Sequence, residues 1–531
     1  MKALSTLKAA GAVSFATLIS RVLGLVREVV IAALFHPVAT DAYYTAFRIP
    51  NLLRDLFAEG ALSAAFVPTF TEYWKQGAEH AWRLANLVIN ALLVILSAVT
   101  LLFFFGAKYL VLMLAYGFIW TPGKVELTAK MTQVMSPFLI FVALAAAVMG
   151  VLNTGGRFFI SALAPAVFNV TNILAGLLLA PLMPYFGQEP IVAMAIGSLA
   201  GAVGQLAIQW PAARRMGFRH RWVLRWDDPG LRRIMRLMLP ATFGLAATQI
   251  NVLVDNQFAS LFGTGPVSWL QYAFRLMQLP IGIFGVAIAT VNLAAVSRDA
   301  ADQDLEALKR TLARSLRLCM LLTLPAAAGL MALRYPIIRV IYQHGSFTAE
   351  HTRHTGDALW FYALGLFSYS AVKILVPTFY ALKNSAAPVR ASAGSVAVKV
   401  ALNGLFLLTG WYGFQGLALA TSLAATLNLG LLAFSLKRQV GPLRGLGLGD
   451  TFIKVAGLSA AMGFTCHLAY RLLARHLDPA SFGQTGLALA LCIGLGLGLT
   501  ALLAHALRVP EADEMKTRLM RRLFKRMKDE G

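Results

Sequence analysis

The chain has 531 residues, of which 58% are hydrophobic and only 13% charged, with a mean hydropathy of +0.67. Soluble domains carry about 25% charged residues, so three or four soluble domains are excluded and the chain reads as a polytopic membrane protein. Its 47 Lys and Arg against 24 Asp and Glu give +23, yet no basic face on a soluble fold is visible, which sets nucleic acid aside as a partner.

A membrane span needs about 20 mostly apolar residues. Windows of that size pick out fourteen, near 9–35, 41–73, 84–107, 129–153, 161–184, 190–213, 234–262, 268–296, 311–333, 355–381, 388–410, 413–436, 451–473 and 484–507. Runs this long, without alternation, exclude a barrel. The expected fold is therefore all-α, with fourteen transmembrane helices. Lys2 and Lys8 precede the first run in the manner of a signal peptide, but Arg21, Arg27 and Glu28 interrupt it, so it is expected to be a retained span. Pro50, Pro280 and Gly282 fall inside long runs and predict kinks or tilt.

The three cysteines, Cys319, Cys466 and Cys492, lie in apolar stretches, form no CxxC pair and read as small buried hydrophobes. Asp227-Asp228-Pro229-Gly230 reads as a turn before a basic helix starting near Leu231. His344, His351 and His354 fall in an outer loop, where a helix starting at Thr348 is the simpler reading than a metal site. From Glu511 onward, Met515, Leu519, Leu523, Phe524 and Met527 recur at helical spacing among seven cations, an amphipathic tail suited to anionic phospholipid headgroups. No G-x-x-x-x-G-K-[ST] loop is present, so ATP hydrolysis is not expected.

Cations sort by side. With the N-terminus inside, inner segments hold 32 Lys and Arg, outer segments 8, and the spans 7. That bias follows the positive-inside rule, and an even number of spans puts both termini in the cytoplasm. A repeat is also visible. Ala46-Phe47-Arg48 matches Ala273-Phe274-Arg275 at an offset of 227, and Ala162-Leu163-Ala164-Pro165 matches Ser385-Ala386-Ala387-Pro388 at 223. The expectation is a six-helix lobe duplicated in the same orientation, with spans 13 and 14 outside the repeat.

The seven cations at lipid depth are Arg21, Arg27, Arg48, Arg54, Arg275, Lys373 and Lys399. A charge at the bilayer centre costs between about 2.5 and 17 kcal/mol, so these require compensation. Arg21 and Arg27 are six residues apart, roughly 120° from sharing one helix face, as two sides of a shared cavity require. Arg48 and Arg54 repeat that spacing, and Glu28, Asp41, Asp55 and Glu59 accompany them. Snorkelling or ion pairing at helix ends is the competing reading, strongest for Asp41 and for Arg54 with Asp55. The planar guanidinium suits phosphate oxygens, which points to a phosphorylated lipid; a small anion remains open but would not need two extra spans. Asp255, with Asn251, Asn256 and Gln257, suits either a cation site or an interhelix hydrogen-bonded contact. Lys373 and Lys399 either line the second half's cavity or are structural.

Ser20-Arg21-Val22-Leu23-Gly24, Arg27, Thr40-Asp41-Ala42 and Arg48-Ile49-Pro50-Asn51-Leu52-Leu53-Arg54 resemble the MurJ (MviN) family of the MOP exporter superfamily. So do Phe57-Ala58-Glu59-Gly60-Ala61, Ala65-Phe66-Val67-Pro68, Tyr272 with Arg275, Gln278-Leu279-Pro280, Phe284-Gly285-Val286-Ala287, and Phe379-Tyr380-Ala381 ahead of Pro388-Val389. The resemblance implies a transporter rather than an enzyme. Its task would be moving undecaprenyl-diphosphate-linked muropeptide, lipid II, across a bacterial inner membrane for peptidoglycan synthesis. It implies alternating access through an arginine-lined central cavity, with Arg21, Arg27, Arg54 and Arg275 essential, a basic position at Arg48 and acids at Asp41 and Glu59; Glu28 joins them as a neighbour. The implied organisation is a lobe over 1–215, a second over 216–440 with its preceding basic loop, a lipid-tail groove over 441–508 and a basic tail over 509–531. No cofactor is required, but Na+ at Asp255 or the membrane potential would couple transport, and cell-wall synthesis proteins are expected partners. Phe274 and Asn292-Leu293-Ala294-Ala295 depart from the family pattern, which bears on the polarity of that cavity wall. The rival readings are an exporter of another undecaprenyl-diphosphate oligosaccharide and a membrane-embedded transferase using Asp227-Asp228.

Overall fold

A computed structural model describes residues 2–54, 62–443, 445–476 and 481–513. All regular structure among them is helical. The expected tail helix beyond 513 lies outside the described residues, as do Asp55 and Glu59.

Among the described residues, each expected span falls on a helix or on consecutive helices. The first half comprises α1 (Lys2–Leu34), α2 (Pro37–Leu53), α3 (Leu62–Gln76), α4 (Ala78–Leu114), α5 (Lys124–Met135), α6 (Phe138–Thr154), α7 (Phe158–Leu174) and α8 (Val192–Arg215). The second comprises α9 (Pro229–Ser260), α10 (Pro266–Pro280), α11 (Val286–Ala301), α12 (Leu305–Ala332), the short α13 (Arg334–Tyr342), α14 (Ala349–Leu364), α15 (Leu366–Ala381), α16 (Ala386–Thr409) and α17 (Gln415–Val440). Two more follow, α18 (Leu448–Ala474) and α19 (Phe482–Ala506). Among the described residues ten helical stretches are long and apolar enough to cross a membrane, or eleven when bent α14–α15 counts as one.

Several spans are broken, and the breaks have local causes. Along the second span α2 runs through Pro50 to Leu53, and α3 carries its described continuation from Leu62. The fourth is interrupted at Ser136-Pro137, where proline supplies no backbone N–H. After Pro280 the eighth continues as a π-helical turn over Ile281–Gly285. Pro280 thus produces the irregularity its position predicts. The tenth breaks at Gly365 with a 44° bend, which no proline announced. There Ser422 Oγ of α17 donates to Phe361 O (2.7 Å) and Tyr362 O (3.2 Å), satisfying carbonyls near the break. A Cβ on Gly365 would lie 2.7 Å from Ser422 Oγ, so glycine permits that approach.

The repeat extends to element boundaries. At the 227 offset, the end of α2 at Leu53 falls on the end of α10 at Pro280, and the end of α6 at Thr154 falls on the end of α15 at Ala381. Arg54 itself has π-helical geometry, as does its equivalent Ile281.

Packing divides the chain into two units, 1–268 with 344–347, and 269–343 with 348–531. In the first, α3, α4 and α6 enclose a core around Phe66, Phe70, Leu84, Phe138 and Leu152. The start of α9 joins this unit: a Cβ on Gly230 would lie 2.8 Å from both Leu84 and Tyr73. Asp228 caps α9, accepting from Gly230 N at 2.9 Å, so that helix starts two residues before the expected Leu231. In the second unit α11, α12, α15 and α17 share a core around Leu312, Ile374, Phe379 and Leu432. Here α18 packs along α12 through Leu321, Val455 and Leu458, and α19 completes a cluster around Met462, Cys466 and Cys492. All three cysteines are buried and unpaired.

Candidate functional site

In the first unit α1, α2, α7 and α8 converge on a buried polar network. Asn169 of α7 donates to the carbonyl of Ser20 at 3.0 Å, fixing α1 against α7 in the turn that precedes Arg21. Arg21 is exposed, whereas Arg27 retains only 8% exposure and Glu28 none. Arg27 Nη2 donates to Glu28 Oε1 at 2.6 Å, and Tyr44 of α2 donates its hydroxyl to Glu28 Oε2 at 2.5 Å. The carboxylate is thereby held on both oxygens. The Arg27 guanidinium lies over the Phe168 ring, 5.5 Å from its centroid, and its Nε has no hydrogen-bond partner. Tyr43 extends the network, with its hydroxyl 3.0 Å from Ser198 Oγ and 3.4 Å from Asn172 Oδ1. A guanidinium carries five N–H donors, so one carboxylate leaves Arg27 with donors for a further anion.

Arg48 and Arg54, later on α2, are both half-buried. Arg54 follows the last residue of α2, its backbone N–H returning to Pro50 O and Asn51 O. Asp41 sits apart from the arginines at the start of α2. It is fully buried and accepts from Lys124 Nζ (2.9 Å), Gly265 N (2.6 Å), Ser268 N (2.9 Å) and Ser268 Oγ (2.6 Å). Lys124 is itself 1% exposed, with its ammonium 4.1 Å from the centroid of Phe118. Asp41 is thus ion-paired at a helix end, one of its two expected roles. The surprise is Lys124, which the sequence places in an outer loop. A left-handed Gly123 turns the chain there, and nothing in the spacing marks the next residue as buried.

Asp255 of α9 is half-buried. Two of the amides grouped with it are engaged elsewhere. Asn256 donates to Leu114 O at 2.9 Å and meets Thr45 at 3.3 Å, while Gln257 accepts from Tyr116 N at 2.9 Å. Among the described residues no three His, Cys, Asp or Glu side chains gather as a metal site.

In the second unit Arg275 is half-buried on α10. Its neighbour Tyr272 is buried against Tyr342, centroids 5.0 Å apart, and Phe274 contacts Tyr362 at 5.3 Å and Tyr369 at 6.3 Å. The departure at Phe274 therefore makes an aromatic wall beside Arg275. Lys399 is buried on α16, and Lys373 is exposed on α15. The outer-loop histidines fall on or before α14, whose N-cap is Thr348, and His354 stacks on Trp269 at 4.3 Å.

A many-helix membrane chain, duplicated in sequence and with arginines inside its spans, is a polytopic transporter. Its fold is like that of an inward-facing multidrug resistance MATE family transporter of the MOP superfamily, which superposes with a TM-score of 0.67 at 15% identity, over 80% of this chain and 95% of that one. Within that class the likeness narrows. The family profile described as "Lipid II flippase MurJ" matches residues 30–504. The probable lipid II flippase MurJ of Vibrio cholerae is 38% identical over 444 residues, 82% of this chain and 83% of its own. The lipid II flippase MurJ of Burkholderia cenocepacia is 35% identical over 80% and 83%. A solved lipid II flippase MurJ in an inward closed conformation aligns with a TM-score of 0.77 and 29% identity, covering 93% of this chain and 99% of that one. The chain belongs to the MurJ lipid II flippase family.

Proposed function

We propose that the protein carries lipid II from the cytoplasmic to the periplasmic leaflet of a bacterial inner membrane, with its diphosphate bound in the first unit by Arg21, Arg27, Arg48 and Arg54, and with Arg275 of the second unit also required for transport. Family membership supports the cargo. The single structural observation that carries the site is Arg27, buried yet answered by one carboxylate and keeping a free Nε. A desolvated guanidinium interacts far more strongly with an anion than a hydrated one, and its planar fork matches phosphate oxygens. Glu28 offsets part of the charge in the empty state, and Tyr44 keeps that carboxylate oriented.

Transport follows alternating access. The diphosphate occupies the arginines from one face, the apolar tail remains in lipid along α18 and α19, and the loaded site then opens to the other face. Return of the emptied cationic site gains from an inside-negative potential, about 2.3 kcal/mol per charge per 100 mV. Na+ held near Asp255 is a second source of drive, tested by replacing Na+ with K+ in the transport assay.

The experiment is replacement of a cell's own flippase by this chain carrying Arg27→Ala or Arg275→Ala. Growth arrest with lipid II accumulating in the inner leaflet is expected. Wild-type growth and export in either variant would sink the assigned roles. Binding of lipid II compared with other undecaprenyl-diphosphate sugars then tests the cargo.

A further inference from the structure

The segment 217–226 joining α8 to α9 is not a slack linker. Two asparagines of α4, Asn86 (4% exposed) and Asn90 (0%), hold it by its backbone. Asn86 donates to Arg219 O at 3.1 Å and accepts from Arg221 N at 2.8 Å. Asn90 donates to Arg221 O and Val223 O, both at 2.9 Å, and its oxygen lies 2.8 Å from His220 Nε2. The two amides thus pair with the segment as a neighbouring strand would, and they do so from the polar end of a 37-residue helix.

Pinning sorts the side chains. Gly217, Arg219, Arg221, Val223 and Arg225 line one cavity of about 560 Å³, completed by Glu79, Trp82, Arg83 and Asn86 of α4. Between these positions Trp222 stands 65% exposed, and Trp226 is 43% exposed. Four guanidinium groups therefore face one basin. Two acids accompany them: Glu79, which is exposed, and Asp228, 3.8 Å from Arg83. The basin keeps a cationic surplus on a scaffold rigid enough to make it a site.

We propose that this basin binds the phosphate of an anionic phospholipid headgroup. Several guanidinium forks converging on one volume is the arrangement that phosphate oxygens require. The exposed indoles select a lipid over a soluble phosphate, because tryptophan settles at the headgroup level of a bilayer with its ring apolar and its N–H wet. The site is separate from the arginines of α1 and α2, and it does not depend on the transported cargo.

The test uses the full-length chain in detergent, with lipid binding read by native mass spectrometry. Phosphatidylglycerol is the probe and phosphatidylcholine the control. The triple variant Arg219→Gln, Arg221→Gln, Arg225→Gln alters exposed side chains and leaves the asparagine-to-backbone bonds in place. It should bind phosphatidylglycerol at least about tenfold more weakly than the unsubstituted chain. The matched change in the tail, Arg518→Gln, Arg521→Gln, Arg522→Gln, should retain the affinity. Asn86→Ala with Asn90→Ala, which keeps every cation but releases the backbone, should weaken binding too. Unchanged affinity in the loop triple variant, or loss confined to the tail variant, overturns the assignment. Inorganic pyrophosphate binding as tightly as the lipid would make this a soluble-phosphate site and overturn it as well.

Discussion

The buried charges differ in how many partners each one keeps when a neighbour is removed. Asp41 accepts four hydrogen bonds, only one of them from Lys124. Lys124→Met therefore leaves a carboxylate with three donors, while Asp41→Ala leaves an ammonium only 1% exposed against the Phe118 ring. Removing one partner of a buried pair costs about 3–5 kcal/mol when the other is left uncompensated. Thermal unfolding in detergent should show a markedly larger fall in Tm for Asp41→Ala than for Lys124→Met; equal falls would contradict the asymmetry. Tyr44→Phe deletes a donor to the Glu28 carboxylate, worth about 1.5–3 kcal/mol for a charged acceptor. Lipid II binding should weaken by roughly tenfold or more while Arg27 itself is untouched, and an unaltered affinity would remove Tyr44 from the site. The arginines were legible in the sequence because charge inside an apolar run is conspicuous. Tyr43, Tyr44, Asn172 and Ser198 were not, since such residues occur throughout membrane helices and only packing shows which are joined.

Among the elements, spans were legible and their interruptions only partly so. Hydropathy is a property of composition and survives any local bend, which explains why the described parts of the expected segments fall on helices, ten or eleven stretches being long and apolar enough to cross a membrane. A break has a sequence mark when proline makes it, as after Pro280. At Gly365 the mark is a glycine among many, and its meaning depends on Ser422, 57 positions away. Gly365→Ala should lower Tm, because its Cβ would meet Ser422 Cα at 2.9 Å and Oγ at 2.7 Å, an overlap costing about 1–3 kcal/mol. Gly404→Ala on α16 provides the contrast. No atom lies within 4 Å of a Cβ there, so the helix should gain up to about 1 kcal/mol. Parallel effects in the two variants would refute the close-packing account of the bend. The shared ends of α2 with α10, and of α6 with α15, extend the same point to the duplication. Two short matches reveal the offset, but only the structure shows that helix boundaries follow it.

For the whole molecule, the 47 cations that the sequence sorts into inner, outer and span groups have a further, local destination. Segments expected on the inner side take 32 cations, those expected outside 8 and the spans 7. That destination is one cavity: part of the charge expected inside, at Arg83, Arg219, Arg221 and Arg225, is collected around it rather than spread over a surface. Lys124, counted among the 8 outer cations, is spent on Asp41 and contributes no free charge. Removing it from the outer count strengthens the inside bias, since orientation is set by lysines and arginines flanking the spans. The orientation is therefore expected to be firm, with 217–226 inside and 410–413 outside. Replacing Cys319, Cys466 and Cys492 by Ala gives a background for single reporters Trp222→Cys and Tyr412→Cys, both at exposed positions. A membrane-impermeant maleimide should label position 412 in cells whose outer barrier alone is opened, and position 222 only after the inner membrane is permeabilised. The reverse pattern would invert the direction of transport proposed above. Labelling at both positions would mean that the charge bias does not hold this chain in one orientation. If the headgroup site is occupied as well, anionic lipid should slow labelling at 222 and leave 412 unaffected, because only the former adjoins the arginine basin.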